Sequence, residues 1–131
     1  MAFYLETSAV VKLVVAEVET AALTAWIAAE QNVFVSCDLL RTELFRVVRR
    51  GAPESVTRAR HVVNSISIMT VPTTTFEHTG ELTPQTLRSL DAIHLAAALE
   101  LGDDLDGLVT YDGALAAAAA THGITVVAPG S

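Results

Sequence analysis

Glu6, Glu43, Asp91 and Asp112 are scattered along the chain, yet each stands where a strand-like run meets a helical one. Glu6 directly follows the apolar run Phe3–Leu5, and Asp112 follows the run Gly107–Tyr111. Asp91 opens the helical pattern Ser89–Leu101, and Glu43 lies about one turn into the pattern Leu39–Arg50. Four carboxylates gathered at one edge would repel one another in a partly dry cleft unless a cation neutralised them. An all-oxygen donor set without His or Cys suits Mg²⁺ or Mn²⁺ rather than zinc. A water on such an ion has a lowered pKa and can attack a phosphodiester without any protein nucleophile.

Each acid also has a plainer reading. Asp112 suits the N-cap of the last helix, and Asp91 complements the positive end of its helix dipole. Glu43 shares a helix face with Arg46 or Val47 and Arg50, so an intrahelical ion pair is the alternative there. Asp38, just before Leu39, is assigned to capping. Among the histidines, His61, His78, His94 and His122 show no metal-ligand spacing; His94, one turn after Asp91, reads as a buried structural residue. There is no GxSxG elbow and no glycine-rich phosphate loop, which disfavours a serine hydrolase or nucleotide-cofactor chemistry.

The elements that must position these acids alternate in type. Strand-like segments fall at Phe3–Leu5, Val33–Ser36, Ile66–Val71, Gly107–Tyr111 and Ile124–Val127. Between them run helical patterns at Thr7–Ala16, Glu19–Glu30, Leu39–Arg50, Pro53–Ser65, Ser89–Leu101 and Asp112–His122, with a less regular stretch at Thr73–Thr83. Such alternation is the signature of βαβ units, and the expected architecture is α/β: a three-layer α/β/α sandwich around a central parallel sheet, formed by residues 1–131 as one domain. Parallel sheets bind ligands beyond the carboxyl ends of their strands, where these acids are expected to meet.

The 131 residues are 51% hydrophobic, enough for a core covered on both faces, and that composition argues against disorder. No apolar stretch approaches the roughly 20 residues that span a bilayer, and the N-terminus lacks the pattern of a secretory signal, so the expected compartment is the cytoplasm. Cys37 stands alone and excludes an internal disulfide. The net charge of −7 argues against nucleic acid as a partner, but six of the eight bases (Arg41, Arg46, Arg49, Arg50, Arg58 and Arg60) share one short window. Arginine suits bidentate phosphate contact; a solvated helical face is the plainer account.

Four segments carry a family resemblance: Tyr4-Leu5-Glu6-Thr7-Ser8-Ala9-Val10-Val11-Lys12-Leu13, Thr42-Glu43-Leu44, Ser89-Leu90-Asp91-Ala92-Ile93-His94-Leu95-Ala96-Ala97-Ala98 and Val109-Thr110-Tyr111-Asp112. In order and spacing they resemble the four acidic motifs of PIN-domain ribonucleases of the VapC type, the toxins of VapBC toxin–antitoxin pairs. That resemblance implies a PIN-like fold and endonucleolytic cleavage of RNA with Mg²⁺ or Mn²⁺. It assigns Glu43, Asp91 and Asp112 to the metal, Glu6 to the first acidic position, and Ser8 and Thr110 to supporting hydroxyls. Ser8 as a helix-start cap and Thr110 as plain strand content are the alternatives.

Glu6 departs from the family's Asp-Thr-Ser. One extra methylene displaces a carboxylate by more than about 1 Å, a misplacement that can cost on the order of 10²-fold in rate. Either the longer side chain reaches the metal by another rotamer, or the substitution, natural or introduced, weakens the site. The resemblance also implies a VapB-type antitoxin and a homodimer. The surplus apolar residues Val10, Val11, Leu13, Val14, Val15, Leu23, Trp26 and Ile27 offer either a groove for the antitoxin or ordinary core. Two rivals stand beside the ribonuclease: a PIN module that binds without turnover, and a phosphoacceptor signalling domain. The second would need an Asp after the middle strand and a late lysine, and no lysine follows Lys12.

Overall fold

All four residues of the first strand, β1 (Ala2–Leu5), are buried, as befits a strand covered on both faces. In this computed structural model, which describes residues 1–131, the chain continues through α1 (Thr7–Val14), α2 (Thr20–Ala29), β2 (Val33–Cys37), α3 (Leu39–Gly51), α4 (Val56–Asn64), β3 (Ser67–Met69), α5 (Thr73–Thr79), α6 (Ser89–Leu99), β4 (Leu105–Val109), α7 (Gly113–Thr121) and β5 (Val126–Val127), with 3₁₀ turns at Pro53–Ser55 and Gly102–Asp104. The five strands form one sheet in the order β3-β2-β1-β4-β5, and every pairing is parallel. This is the three-layer α/β/α sandwich expected from the alternating pattern.

Alternation along the strands sorts the core into two layers. Phe3 and Leu5 of β1 and Val109 of β4 face one side, where they pack with Val10, Leu23, Leu40, Leu44, Val48 and Val63 from α1 to α4. Tyr4 of β1 and Leu108 of β4 face the other, against Leu95, Ala97 and Ala98 of α6 and Leu115, Ala118 and Ala119 of α7. Within the alanine run of α7, Ala118 and Ala119 pack closely on the sheet while Ala114, Ala117 and Ala120 are exposed. Gly107 has a steric reason to be glycine: a Cβ there would meet the Thr125 carbonyl oxygen at 3.0 Å and the Phe3 ring at 3.1 Å.

Several expected boundaries shift for identifiable reasons. The third strand shrinks from Ile66–Val71 to three residues because the Ile66 amide is bonded to the Val63 carbonyl at the end of α4. The fourth begins earlier, at Leu105, and the fifth keeps only Val126 and Val127. The helix expected over Pro53–Ser65 starts with the 3₁₀ turn at Pro53, and Thr73–Thr83 keeps a helix only over α5. The apolar surplus on α1 and α2 is mostly core: Val10, Val14 and Leu23 are buried, and Trp26 packs edge-on against Phe3 at 4.9 Å between ring centroids. No helix is long and apolar enough to cross a membrane.

Leu44 is fully buried on the core face of α3, one residue from Glu43. Leu44→Ala is expected to lower unfolding free energy by about 2–5 kcal/mol in urea titrations, the range for a truncated buried leucine.

Candidate active site

Glu6 directly follows β1, and Thr110 and Asp112 follow β4, so these residues meet where two neighbouring strands of the sheet lead to helices on opposite faces. Such a topological switch point opens a crevice at the carboxyl edge of a parallel sheet. α3 and α6 form its other walls. All four sequence-predicted acids, Glu6, Glu43, Asp91 and Asp112, line this one cavity of about 710 Å³, together with Ser8.

Glu6 is buried and turned onto the protein. Its Oε1 accepts from Ser8 Oγ and from Thr110 Oγ1, each at 2.6 Å, and its Oε2 accepts from the Ser8 amide at 3.1 Å. Glu6, not Ser8, is thus the N-cap of α1. The two hydroxyls pass the order on: the Tyr111 amide donates to Ser8 Oγ at 2.9 Å, and the Asp112 amide donates to Thr110 Oγ1 at 3.1 Å. Thr110 is therefore more than strand content, since it ties the start of α1 to the turn that carries Asp112.

Asp112 caps α7 through Oδ1, which accepts from the Leu115 amide at 2.9 Å, and still lines the cavity. The capping and site readings are compatible, because the single bond engages only Oδ1. Asp38 makes no cap: its backbone is already helical (φ −57°, ψ −25°), so its carboxylate lies 3.4 Å from Arg41 Nε instead.

Glu43 does not pair with an arginine. Its Oε1 accepts from Thr7 Oγ1 at 2.6 Å and from His94 Nε2 at 2.5 Å. His94 is fully buried, with Nδ1 2.7 Å from the Tyr4 hydroxyl and 4.0 Å from Cys37 Sγ. Burial alone would raise the pKa of Glu43, but the bonds from His94 and Thr7 outweigh it and lower it. Burial likewise pulls down the pKa of His94, and its bonds to Cys37 and Glu43 outweigh that and raise it from 6.5 to about 9. His94 is the structural histidine expected, yet its partner is a site acid, a link no sequence spacing revealed. His61 and His78 lie exposed at the surface, and His122 bonds the Thr83 carbonyl, away from the cavity.

Asp91 is half-buried and carries the unbalanced charge. Burial raises its pKa, and the negative charges of Asp112, Glu6 and Glu43 raise it further, against the opposing pull of His94. As the side chains stand, no three of the acids come close enough together to enclose an ion. The donor chemistry nonetheless fits a hard divalent cation: the acids lining the cavity are all oxygen donors, and their mutual repulsion is what such a charge would relieve. Positive charge flanks the acids. Arg46 and Arg50 of α3 line the same cavity, and so does Arg88, which the sequence set apart from the arginine window.

The match to known proteins agrees with this geometry: the family model for the PIN domain matches residues 3–121. The chain belongs to the PIN-domain family. This PIN domain is 37% identical to Ribonuclease VapC47 of Mycobacterium tuberculosis, covering 98% of this chain and 97% of the relative. It is 38% identical to Ribonuclease VapC46 of the same organism, covering 98% of each. Among solved structures, the M. tuberculosis VapC20 toxin, described as cleaving the sarcin-ricin loop, superposes with a TM-score of 0.75 at 17% identity over 88% of this chain and 94% of that one. VapBC2 of Rickettsia felis, solved bound to a DNA fragment from its promoter, gives a TM-score of 0.75 at 13% identity over 98% and 99% of the two chains. These two likenesses show the PIN fold.

The charge balance sets a pH dependence. A raised histidine pKa contributes stability that is whole below 6.5 and lost as the pH climbs through about 9. The lowered carboxyl of Glu43 contributes above 4.5 and is lost as the pH falls below it. Asp91 has the opposite sign to Glu43: its raised pKa means that ionisation costs stability as the pH rises past 3.8. With chelator present, Asp91→Asn is expected to melt at a higher temperature than the parent at neutral pH, the gain vanishing in acid; an unchanged or lower neutral-pH melting temperature would contradict the repulsion described.

Proposed function

We propose that this PIN domain is a metal-dependent endoribonuclease toxin of the VapC type, acting on RNA in the cytoplasm and neutralised by a VapB-type antitoxin. The observation that carries the reading is the convergence of four acids, from four separate chain segments, on one cavity at the carboxyl edge of the sheet. The full-length likeness to VapC ribonucleases supports the reaction class. In this reading Glu43, Asp91 and Asp112 hold Mg²⁺ or Mn²⁺, directly or through water. Such an ion supplies a water of lowered pKa and stabilises charge developing on the phosphoryl oxygens and the leaving group.

The chain's own residues do the rest. Arg46, Arg50 and Arg88 flank the acids and position RNA phosphates, which fixes the register of the strand without reading its sequence. Local arginines thus offset a chain whose net charge is −7. That overall charge attracts a basic inhibitor at long range, consistent with a basic antitoxin. A homodimer completes the proposed assembly.

A second reading, a PIN module weakened in turnover, is favoured by one observation. All three hydrogen bonds to Glu6 come from its own chain, so its carboxylate serves as cap and crosslink.

Purified protein incubated with RNA should cleave it with Mg²⁺ or Mn²⁺ and stop on chelation. Asp91→Asn should lower the rate by at least about 10²-fold, the scale of a lost transition-state charge contact, and parent-like cleavage by that variant would end the ribonuclease reading. Glu6→Asp is expected to raise the cleavage rate, since the shorter side chain restores the family's residue; an equal or lower rate would show that Glu6 is no handicap.

A further inference from the structure

Resting on the metal-dependent reading above, we propose that His94 is a positioning residue: held by Tyr4, it pins one oxygen of Glu43 and leaves the other as the single oxygen Glu43 presents to the cavity. The bonding pattern is asymmetric. Oε1 of Glu43 receives both Thr7 Oγ1 and His94 Nε2, whereas Oε2 receives no hydrogen bond from the protein. The His94 ring cannot turn freely, because it is fully buried and its other nitrogen is engaged by the Tyr4 hydroxyl. Tyr4 in turn lies within β1, the central strand, with no exposed surface.

The contact also bridges layers. Leu40, Leu44 and Val48 place α3 against one face of the sheet, and Leu95, Ala97 and Ala98 place α6 against the other. Just beyond the strand ends, His94 of α6 reaches Glu43 of α3 and so ties the two walls of the cavity together. Asp91 and His94 are three residues apart on α6 and share a face by helical spacing. One turn of helix thus presents an acid to the cavity and fixes the acid opposite. A glutamate has three side-chain torsions, and without the His94 bond its carboxylate would be held by Thr7 alone, no longer fixed in one orientation toward the cavity. Groups that orient a ligating side chain commonly govern metal affinity as strongly as they govern rate.

The test reads metal binding separately from turnover. Mn²⁺ is titrated by calorimetry into the full chain and into His94→Leu, His94→Gln, Tyr4→Phe and Asp91→Asn, with melting temperature and RNA cleavage measured alongside. His94→Leu should bind Mn²⁺ about 10–100-fold more weakly, the range typical for a lost orienting partner. His94→Gln, whose amide can donate to Oε1, should recover most of that loss, and Tyr4→Phe should fall between Leu and the parent. A folded His94→Leu that binds Mn²⁺ like the parent, with only its melting temperature lowered, overturns the assignment. If His94→Leu does not fold, Tyr4→Phe decides: parent-like Mn²⁺ affinity overturns the assignment, and a weakened affinity supports it. Parent-like binding in the His94 variants beside lost binding in Asp91→Asn overturns this assignment alone, whereas a parent that binds no Mn²⁺ overturns the metal reading and this assignment together.

Discussion

Like-charge repulsion at the end of a parallel sheet is the constraint around which this fold is arranged. With β1 central and β4 beside it, the chain leaves neighbouring strands toward opposite faces, and the acids that follow those strands are delivered to the same crevice. The protein neutralises part of this crowding itself. Glu6 is bonded by hydroxyl and amide donors, Glu43 by His94 and Thr7, and Asp112 by the single Leu115 amide of α7. Asp91 accepts no such hydrogen bond, and burial together with the neighbouring negative charges raises its pKa. An acidic site that is mostly, but not wholly, balanced by internal donors keeps a residual repulsion that a cation would relieve.

The hydrogen bonds around Glu6 show how few residues this balance requires. Ser8 and Thr110 each accept a backbone amide while donating to the same carboxylate oxygen. Two small side chains therefore connect the start of α1, the end of β4 and the turn before α7. Because buried polar groups in such a network are satisfied by one another, removal of any member strands the rest.

Much of this was legible in the sequence where local rules apply. The alternation of Phe3 and Leu5 against Tyr4, the helical spacing of Leu40, Leu44 and Val48, and the acids at element ends all report on near neighbours, and they give the correct fold class and the edge of the sheet where the four acids line one cavity. Strand lengths were less legible, because Ile66 has the composition of a strand residue but its backbone is spent on the helix before it. The bond between His94 and Glu43 joins residues 51 positions apart, and Arg88 reaches the cavity from outside its cluster; neither has a local pattern. A helical glutamate near arginines reads as an ion pair until the third dimension supplies a better-placed donor.

The outer strands of the sheet are short, with three residues in β3 and two in β5. A visiting strand finds few open amides and carbonyls to match at either margin, so continuing the sheet into another molecule gains little. Recognition by other chains is thereby left to side chains on the helical exterior. Those surfaces can diverge to suit different companions while the central strands, and the chemistry at their ends, stay unchanged.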